Sequence, residues 1–355
     1  MEDTHMETMN TETMNMEDTN MDLKNEDQNN PDQNTEVQDT APVKRKVKKT
    51  WEENEAPLLR WILTIVSTIL IGMVIGNIIA VIISRLPCFD SGKFLAPERD
   101  LISGVAVFAV MFLFFWLFLR TICRTSLRAF FFGKNRRADV KQVLIIGGLY
   151  MIGMLLSMIP NSANISFMHP DPALMTVNIL FCLCFLWMQT TMEEIVFRGF
   201  FLRIPYKNKV PVLPKGLLVA FLSSLLFMAG HLANPEVTTQ SGLNIALMAS
   251  SYFVSGLMMF LSNLMLGGME AGMIIHFINN FFCFVFVSSE VTVIVSPALF
   301  VDYTQDNVAL RGLIATVIAY IPSTVYLVWR YRRKRAEMIA AQSVEPAESD
   351  HNESV

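Results

Sequence analysis

Eight long apolar stretches constrain the fold of this chain more than any other feature. Their approximate limits are 61–84, 101–119, 143–159, 174–192, 216–232, 243–264, 269–288 and 312–330. The fourth stretch can be continued past the glutamates that follow it. About twenty apolar residues are needed to cross the hydrocarbon core of a bilayer as a helix. The sequence therefore predicts an all-α polytopic membrane protein with about eight transmembrane helices.

The basic residues of the chain indicate its orientation in the membrane. Lys and Arg cluster at 44–49, 120–141, 203–215 and 330–335, whereas the loops after the third and fifth stretches contain neither. The first loop departs from this pattern because it also holds basic residues. Loops on the cytoplasmic side carry an excess of Lys and Arg. We therefore expect a multi-pass protein of the cell membrane with both termini in the cytoplasm.

The two ends of the chain differ from its apolar body. Residues 1–50 form an acidic tail, rich in Met and Asn, with a basic juxtamembrane end, and residues 336–355 are also polar. Segments of this composition bury too little apolar surface to fold. The sequence predicts a membrane domain at 51–335 between two disordered tails. The five cysteines have no spacing typical of a zinc site or a disulfide framework.

Polar side chains interrupt the apolar stretches at three places. Together with one aromatic neighbour, they are Glu193, Glu194, Arg198, Phe227, His231, His276 and Asn280. An ionisable group within a membrane helix is costly, and by default it indicates a functional site. Each of the three places, taken alone, is also typical of a solvated helix end or of helix packing. Their occurrence together in one chain favours a functional site.

The spacing of the first group predicts two different roles for its glutamates. Glu194 and Arg198 are four residues apart, so on a helix they share a face and can pair. The side chain of Glu193 points about 100° away from that of Glu194 around the helix axis. It is then left unpaired, in a position to act as a general base.

The other two sets of residues supply side chains that can transfer protons or stabilise charge. Phe227 and His231 share one helix face, and so do His276 and Asn280. The amide of an asparagine can donate a hydrogen bond to an oxyanion. A base, two imidazoles and an oxyanion donor suit the attack of water on an amide.

The order E-E-x-x-x-R, F-x-x-x-H and H-x-x-x-N resembles the CPBP family of CAAX proteases and bacteriocin-processing proteins, also called Abi. The resemblance covers about residues 174–290. The family includes the intramembrane glutamic endopeptidase that trims prenylated CAAX proteins. It implies an eight-helix bundle with an intramembrane catalytic cavity that opens to the cytosol.

The resemblance also implies roles for single residues. Glu193 would activate water together with His231, and His276 and Asn280 would stabilise the oxyanion. The supporting residues would be Glu194, Arg198 and Phe227. The implied activity is endopeptidase cleavage of a membrane-associated peptide or lipidated protein, of the CAAX type or a bacteriocin or pheromone precursor. No nucleic acid partner and no cofactor are expected.

Other functions remain open at this point. A non-catalytic membrane scaffold or a bacteriocin self-immunity protein would use the same fold. A transporter would use buried carboxylates and histidines as a proton relay, but the two halves of the chain show no repeat. A zinc-dependent protease is the alternative mechanism, although H-E-x-x-H is absent.

The predicted topology contains one conflict. Glu193 lies near the cytosolic end of the fourth stretch, whereas His231 lies near the outer end of the fifth. For the two to meet, either the fourth span is longer and tilted, or residues 203–215 dip inward and shift the fifth.

Overall fold

The computed structural model describes residues 58–87, 96–132, 138–203, 206–207, 210–211, 213–289, 291–292, 296–304 and 306–344. Residues 1–57 and 345–355 lie outside this range, and with them the tail predicted at 1–50. The α-helices are α1 Leu58–Ser84, α2 Ala96–Thr121, α3 Leu127–Phe132, α4 Val140–Ser157, α5 Pro172–Phe181, α6 Trp187–Glu194, α7 Leu213–His231, α8 Pro235–Thr238, α9 Leu243–Leu266, α10 Glu270–Val285 and α11 Val308–Val344.

All eight apolar stretches lie mainly in helices, which confirms the prediction of an all-α polytopic membrane protein. Among the described residues, seven helical segments are long and apolar enough to cross a membrane. The count of eight spans is not confirmed, because α10 has only 16 residues. It ends at Val285, where the chain passes into an extended segment.

The fourth span is longer than its apolar stretch indicated. Asp171 caps α5 by accepting hydrogen bonds from the backbone N–H groups of Ala173 and Leu174. Two π-helical segments, Cys182–Leu186 and Ile195–Gly199, then continue the helix, so that Pro172–Gly199 forms one span of 28 residues. The continuation past the glutamates, beyond the approximate limit at residue 192, is therefore confirmed, because Ile-Val-Phe after Glu194 extends the apolar helix. Glu193 lies within the span and not at its end.

Glycines allow close packing of the first two helices. A Cβ atom on Gly72 would lie 3.0 Å from the Cα atom of Met111, and one on Gly76 would lie 2.9 Å from the Cα atom of Val107. Without those Cβ atoms, the backbones of α1 and α2 approach each other closely. Small residues four apart on one helix are typical of such close contacts between membrane helices.

Short strands connect the helices at their ends. The strands are β1 Ile165–Phe167, β2 Tyr206–Lys207, β3 Val210–Pro211, β4 Val287–Ser289 and β5 Phe300–Asp302. β5 lies between β1, which is antiparallel to it, and β4, which is parallel to it. This sheet joins the loop before the fourth span to the loop after α10. β2 and β3 form an antiparallel pair between the fourth and fifth spans.

The last helix continues beyond the predicted membrane domain. α11 extends to Val344, whereas disorder was predicted from residue 336. Arg333 and Glu337, four residues apart, form an ion pair of 3.0 Å on its exposed surface. Residues 336–344 include Ala, Glu, Met and Gln, which favour helices even where they contact no other helix.

Candidate active site

A buried ion pair occupies the centre of the site. Arg198 Nη1 donates to Glu194 Oε1 at 2.5 Å, and both side chains are fully buried. The guanidinium group also lies 4.2 Å from the centroid of the Phe227 ring, which belongs to α7. The pair is the one that the four-residue spacing predicted, and Phe227 contacts it through a cation–π interaction.

His276 connects this ion pair to the second glutamate. Its Nδ1 atom lies 2.9 Å from Glu194 Oε1, and its Nε2 atom lies 3.5 Å from Glu193 Oε2. A carboxylate can only accept a hydrogen bond, so His276 donates through Nδ1–H. In a neutral imidazole with this tautomer, Nε2 presents a lone pair toward Glu193.

His231 approaches Glu193 from another helix with the same tautomer. Its Nδ1 atom lies 2.7 Å from the carbonyl oxygen of Phe227, which can only accept, so Nδ1 carries the proton. Its Nε2 atom lies 3.7 Å from Glu193 Oε2. The ring is held between those of Phe227 and Tyr252, at centroid distances of 4.3 and 4.6 Å.

Glu193 is thus surrounded by polar groups and is not the unpaired carboxylate that its position on the helix indicated. Its Oε1 atom accepts a hydrogen bond from Gln189 Nε2 at 3.2 Å. Its Oε2 atom is buried without a hydrogen bond and faces the Nε2 atoms of His231 and His276. Glu193 and His231 therefore meet, and the longer fourth span is one of the two arrangements that the sequence left open for this contact.

Asn280 lies one helical turn beyond His276 on α10. Tyr150 donates to Asn279 Oδ1 at 3.0 Å, and Asn279 Nδ2 donates to Asn280 Oδ1 at 3.2 Å. The Oδ1 atom of Asn280 thus accepts from Asn279. Its NH2 group, which is the donor of the amide, can donate to a substrate. In the described part of the chain, Asn280 does not take part in the contacts between Glu193 and the histidines.

Several polar residues of the site were not found from the sequence. Gln189 precedes Glu193 by four residues, so the spacing that identified Glu194 and Arg198 would also have found it. Tyr252 belongs to α9, and its hydroxyl donates to Glu236 and accepts from Asn234. No sequence spacing connects Tyr252 with His231, because their contact depends on how α7 and α9 pack.

The site contains donor types that are typical of zinc sites, namely two imidazoles and a carboxylate. Within the described residues, no group of three or more His, Cys, Asp or Glu side chains is arranged to hold a metal ion. That the activity requires no cofactor remains a prediction, and the zinc alternative needs an experiment.

Together, these features define a class: a multi-pass membrane protein with a carboxylate and histidine cluster buried among its helices. Residues 175–282 match the family described as Type II CAAX prenyl endopeptidase Rce1-like. This match confirms the resemblance to the CPBP family of CAAX proteases. It includes the seven residues predicted to form or support the site. The search of curated proteins found no match, and neither did the search of solved structures.

Proposed function

We propose that this protein is an intramembrane endopeptidase that hydrolyses a peptide bond with water activated by Glu193. At family level, the match supports a CAAX-type intramembrane protease. The observation that carries the proposal is the approach of His231 Nε2 and His276 Nε2 to Glu193 Oε2, at 3.7 and 3.5 Å. A carboxylate and two imidazoles placed in this way can orient one water molecule.

In the proposed reaction, the water oxygen attacks the carbonyl carbon of the scissile bond while Glu193 Oε2 takes one of its protons. The C–O bond forms and the carbonyl oxygen becomes an oxyanion. The C–N bond then breaks, and the leaving amine receives the proton held by Glu193. Proton transfer to and from a positioned side chain contributes about 10²–10⁴-fold to the rate of such reactions.

His231 and His276 assist this reaction in different ways. His231 is fixed by the Phe227 carbonyl group and by the ring of Tyr252, so its Nε2 atom orients the water. His276 is fixed by Glu194, and together with the Asn280 amide it stabilises the oxyanion. Stabilisation of an oxyanion requires His276 to donate through Nε2, which it does in its protonated form.

The substrate class follows from the surroundings of the site. The cluster lies among helices that expose large apolar side chains along much of their length. Leu70, Leu180 and Val325 are examples. Such surfaces suit lipid, so a substrate must reach the site while it is associated with the bilayer. We therefore propose a membrane-associated peptide or lipidated protein as the substrate, with a CAAX-type end as the first choice.

Substitution of Glu193 by Gln tests this proposal. The purified protein in liposomes is given a fluorogenic peptide that ends in a farnesylated CAAX sequence. We expect Glu193→Gln to lose cleavage by about 10²–10⁴-fold while its yield and melting temperature stay at wild-type values. His231→Ala and His276→Ala should also lose turnover.

Glu337→Gln is the matched control, since Glu337 is an exposed glutamate in α11, and this variant should cleave at the wild-type rate. Wild-type cleavage by Glu193→Gln would contradict the protease mechanism. A cellular phenotype that survives Glu193→Gln would instead support the non-catalytic scaffold or the self-immunity protein.

A further inference from the structure

An asparagine in α9 joins two helices beside the site. Asn263 is fully buried, and its Oδ1 atom accepts a hydrogen bond from the backbone N–H of Gly272 at 2.6 Å. Gly272 lies in the first turn of α10, four residues before His276. Asn263 therefore contacts the turn that carries a predicted catalytic histidine.

The other half of the Asn263 side chain faces Glu194. A Cβ atom on Gly272 would lie 2.4 Å from Asn263 Nδ2 and 2.7 Å from Glu194 Oε2, so both atoms surround the same point. Both are buried, and neither has a hydrogen-bond partner. One is an amide donor and the other a carboxylate acceptor. Buried polar groups are nearly always hydrogen-bonded, and each of these two lies within 2.7 Å of the same point.

We propose that Asn263 is a positioning residue that holds Glu194 by donating from Nδ2 to Glu194 Oε2. Glu194 Oε1 is already used by Arg198 and by His276 Nδ1. With Asn263 on Oε2, both oxygens of the carboxylate are fixed. The orientation of His276 then depends on Asn263 through Glu194 and also through Gly272.

The amide is the side chain that fits this place. Its oxygen accepts from Gly272, and its NH2 group donates to Glu194, whereas an aspartate would place a second carboxylate against the first. Asn263→Asp keeps the acceptor for Gly272 and changes only the group that faces Glu194. Asn263→Ala removes both contacts.

A double-mutant cycle with Glu194→Gln tests the contact without any assay of activity. Melting temperatures are measured for purified Asn263→Asp, Glu194→Gln and the double variant. We expect both single variants to melt below the wild type, Glu194→Gln because Arg198 loses its buried partner. The loss in the double variant should be smaller than the two single losses added, because the amide introduced by Glu194→Gln carries no charge to repel the new carboxylate and can donate to it. If Asn263→Asp gives no folded protein, the cycle with Asn263→Ala decides.

Asn263→Ala supplies a second cycle. Both single variants remove the same hydrogen bond, so the loss in the double variant should be smaller than the two single losses added. Losses that add in both cycles would overturn the proposal, because Asn263 would then act only through packing. Asn178→Asp is the matched control, since Asn178 is also buried but donates to the Phe284 carbonyl group. Its effect should add to that of Glu194→Gln.

The effect on catalysis rests on the proposed function and has its own measurement. Loss of a group that orients a metal-binding residue typically lowers activity by about 10–100-fold, and we expect a comparable effect for a group that orients Glu194. We expect Asn263→Ala to lower kcat by such a factor on the farnesylated CAAX peptide, with KM unchanged, because Asn263 does not touch substrate. An unchanged kcat would contradict a positioning role. If the wild-type protein does not cleave, the proposed function fails, while the two stability cycles still decide whether Asn263 holds Glu194.

Discussion

His276 Nδ1 and Glu194 Oε1 lie 2.9 Å apart, although 82 residues separate them in the chain. This contact joins the first predicted motif to the third. It also explains why two neighbouring glutamates occur in the fourth span. Glu194 is fully buried, pairs with Arg198 and orients the imidazole, whereas Glu193 faces the two Nε2 atoms at which we propose that water reacts.

Disruption of the buried ion pair should lower stability more than it changes the chemistry. Removing one partner of a buried pair costs about 3–5 kcal/mol, because the other charge is left unpaired. We expect Arg198→Ala and Glu194→Gln to lower the free energy of unfolding, measured by denaturant titration in detergent. Arg333→Ala is the control, because Arg333 and Glu337 have the same spacing but are exposed. A pair of that kind contributes about 0.3–0.5 kcal/mol. Equal losses at both sites would contradict the prediction.

Asn280 should contribute to the rate without being essential. An oxyanion donor typically contributes about 10²–10³-fold to kcat. Asn280→Ala should therefore cleave the farnesylated peptide more slowly by that factor, yet faster than Glu193→Gln. Asn178→Ala, which removes another buried asparagine in the membrane, should keep the wild-type kcat. A wild-type rate for Asn280→Ala would exclude it as an oxyanion donor.

Gly272 should tolerate no side chain. A Cβ atom there would lie within 2.7 Å of polar atoms of both Asn263 and Glu194, which are fixed by other contacts. We expect Gly272→Ala to lower both the melting temperature and the cleavage rate. Gly148→Ala in α4 is the control, because its Cβ atom would meet nothing within 4 Å. Equal behaviour of the two variants would show that α10 can shift to make room.

The proposed mechanism needs no metal ion. We expect active protein to contain zinc well below one ion per chain, as measured by elemental analysis, and to keep its activity in a chelator. The expectation rests on Glu193 taking the proton and on both histidines being fixed by protein groups. Stoichiometric zinc whose removal abolishes cleavage, and whose return restores it, would establish the metalloprotease alternative.

The loops at 160–173 and 289–310 should lie on the outer side of the membrane. β1 and β5 pair directly, so these loops are on the same side as each other. Single cysteines at Met168 and Val291, both exposed, are introduced into a background without the native cysteines. A membrane-impermeant maleimide added to intact cells should label both, but not a cysteine at Arg333. Labelling of Arg333→Cys alone would reverse the predicted orientation.

Local patterns in the sequence were sufficient to predict the helices and one contact of the site. Long apolar stretches favour helices in lipid, since only helices or closed barrels satisfy their backbone hydrogen bonds there. The pairing of Glu194 with Arg198 follows from their spacing on one helix. The same four-residue spacing relates Gln189 to Glu193, whose side chains are hydrogen-bonded.

Local sequence patterns could not predict the contacts between helices. The apolar stretch left open whether the fourth span continues past the glutamates, and the π-helical segment Ile195–Gly199 shows that it does. Tyr252 was missed because an aromatic residue in an apolar helix looks like any lipid-facing or packing residue. Asn263 was missed because a single asparagine carries no sign of the carboxylate that it faces.

The order of residues alone indicated a helical membrane protein and showed which residues carry charge inside it. Apolar length and local spacing act along one helix, so they can be read from the order of residues. The distances from Glu193 to His231 and His276, and the contact between Glu194 and His276, are set by how the helices pack. Those distances depend on helix length, π-helical segments and the absence of a side chain at Gly272, which together set how the helices approach one another.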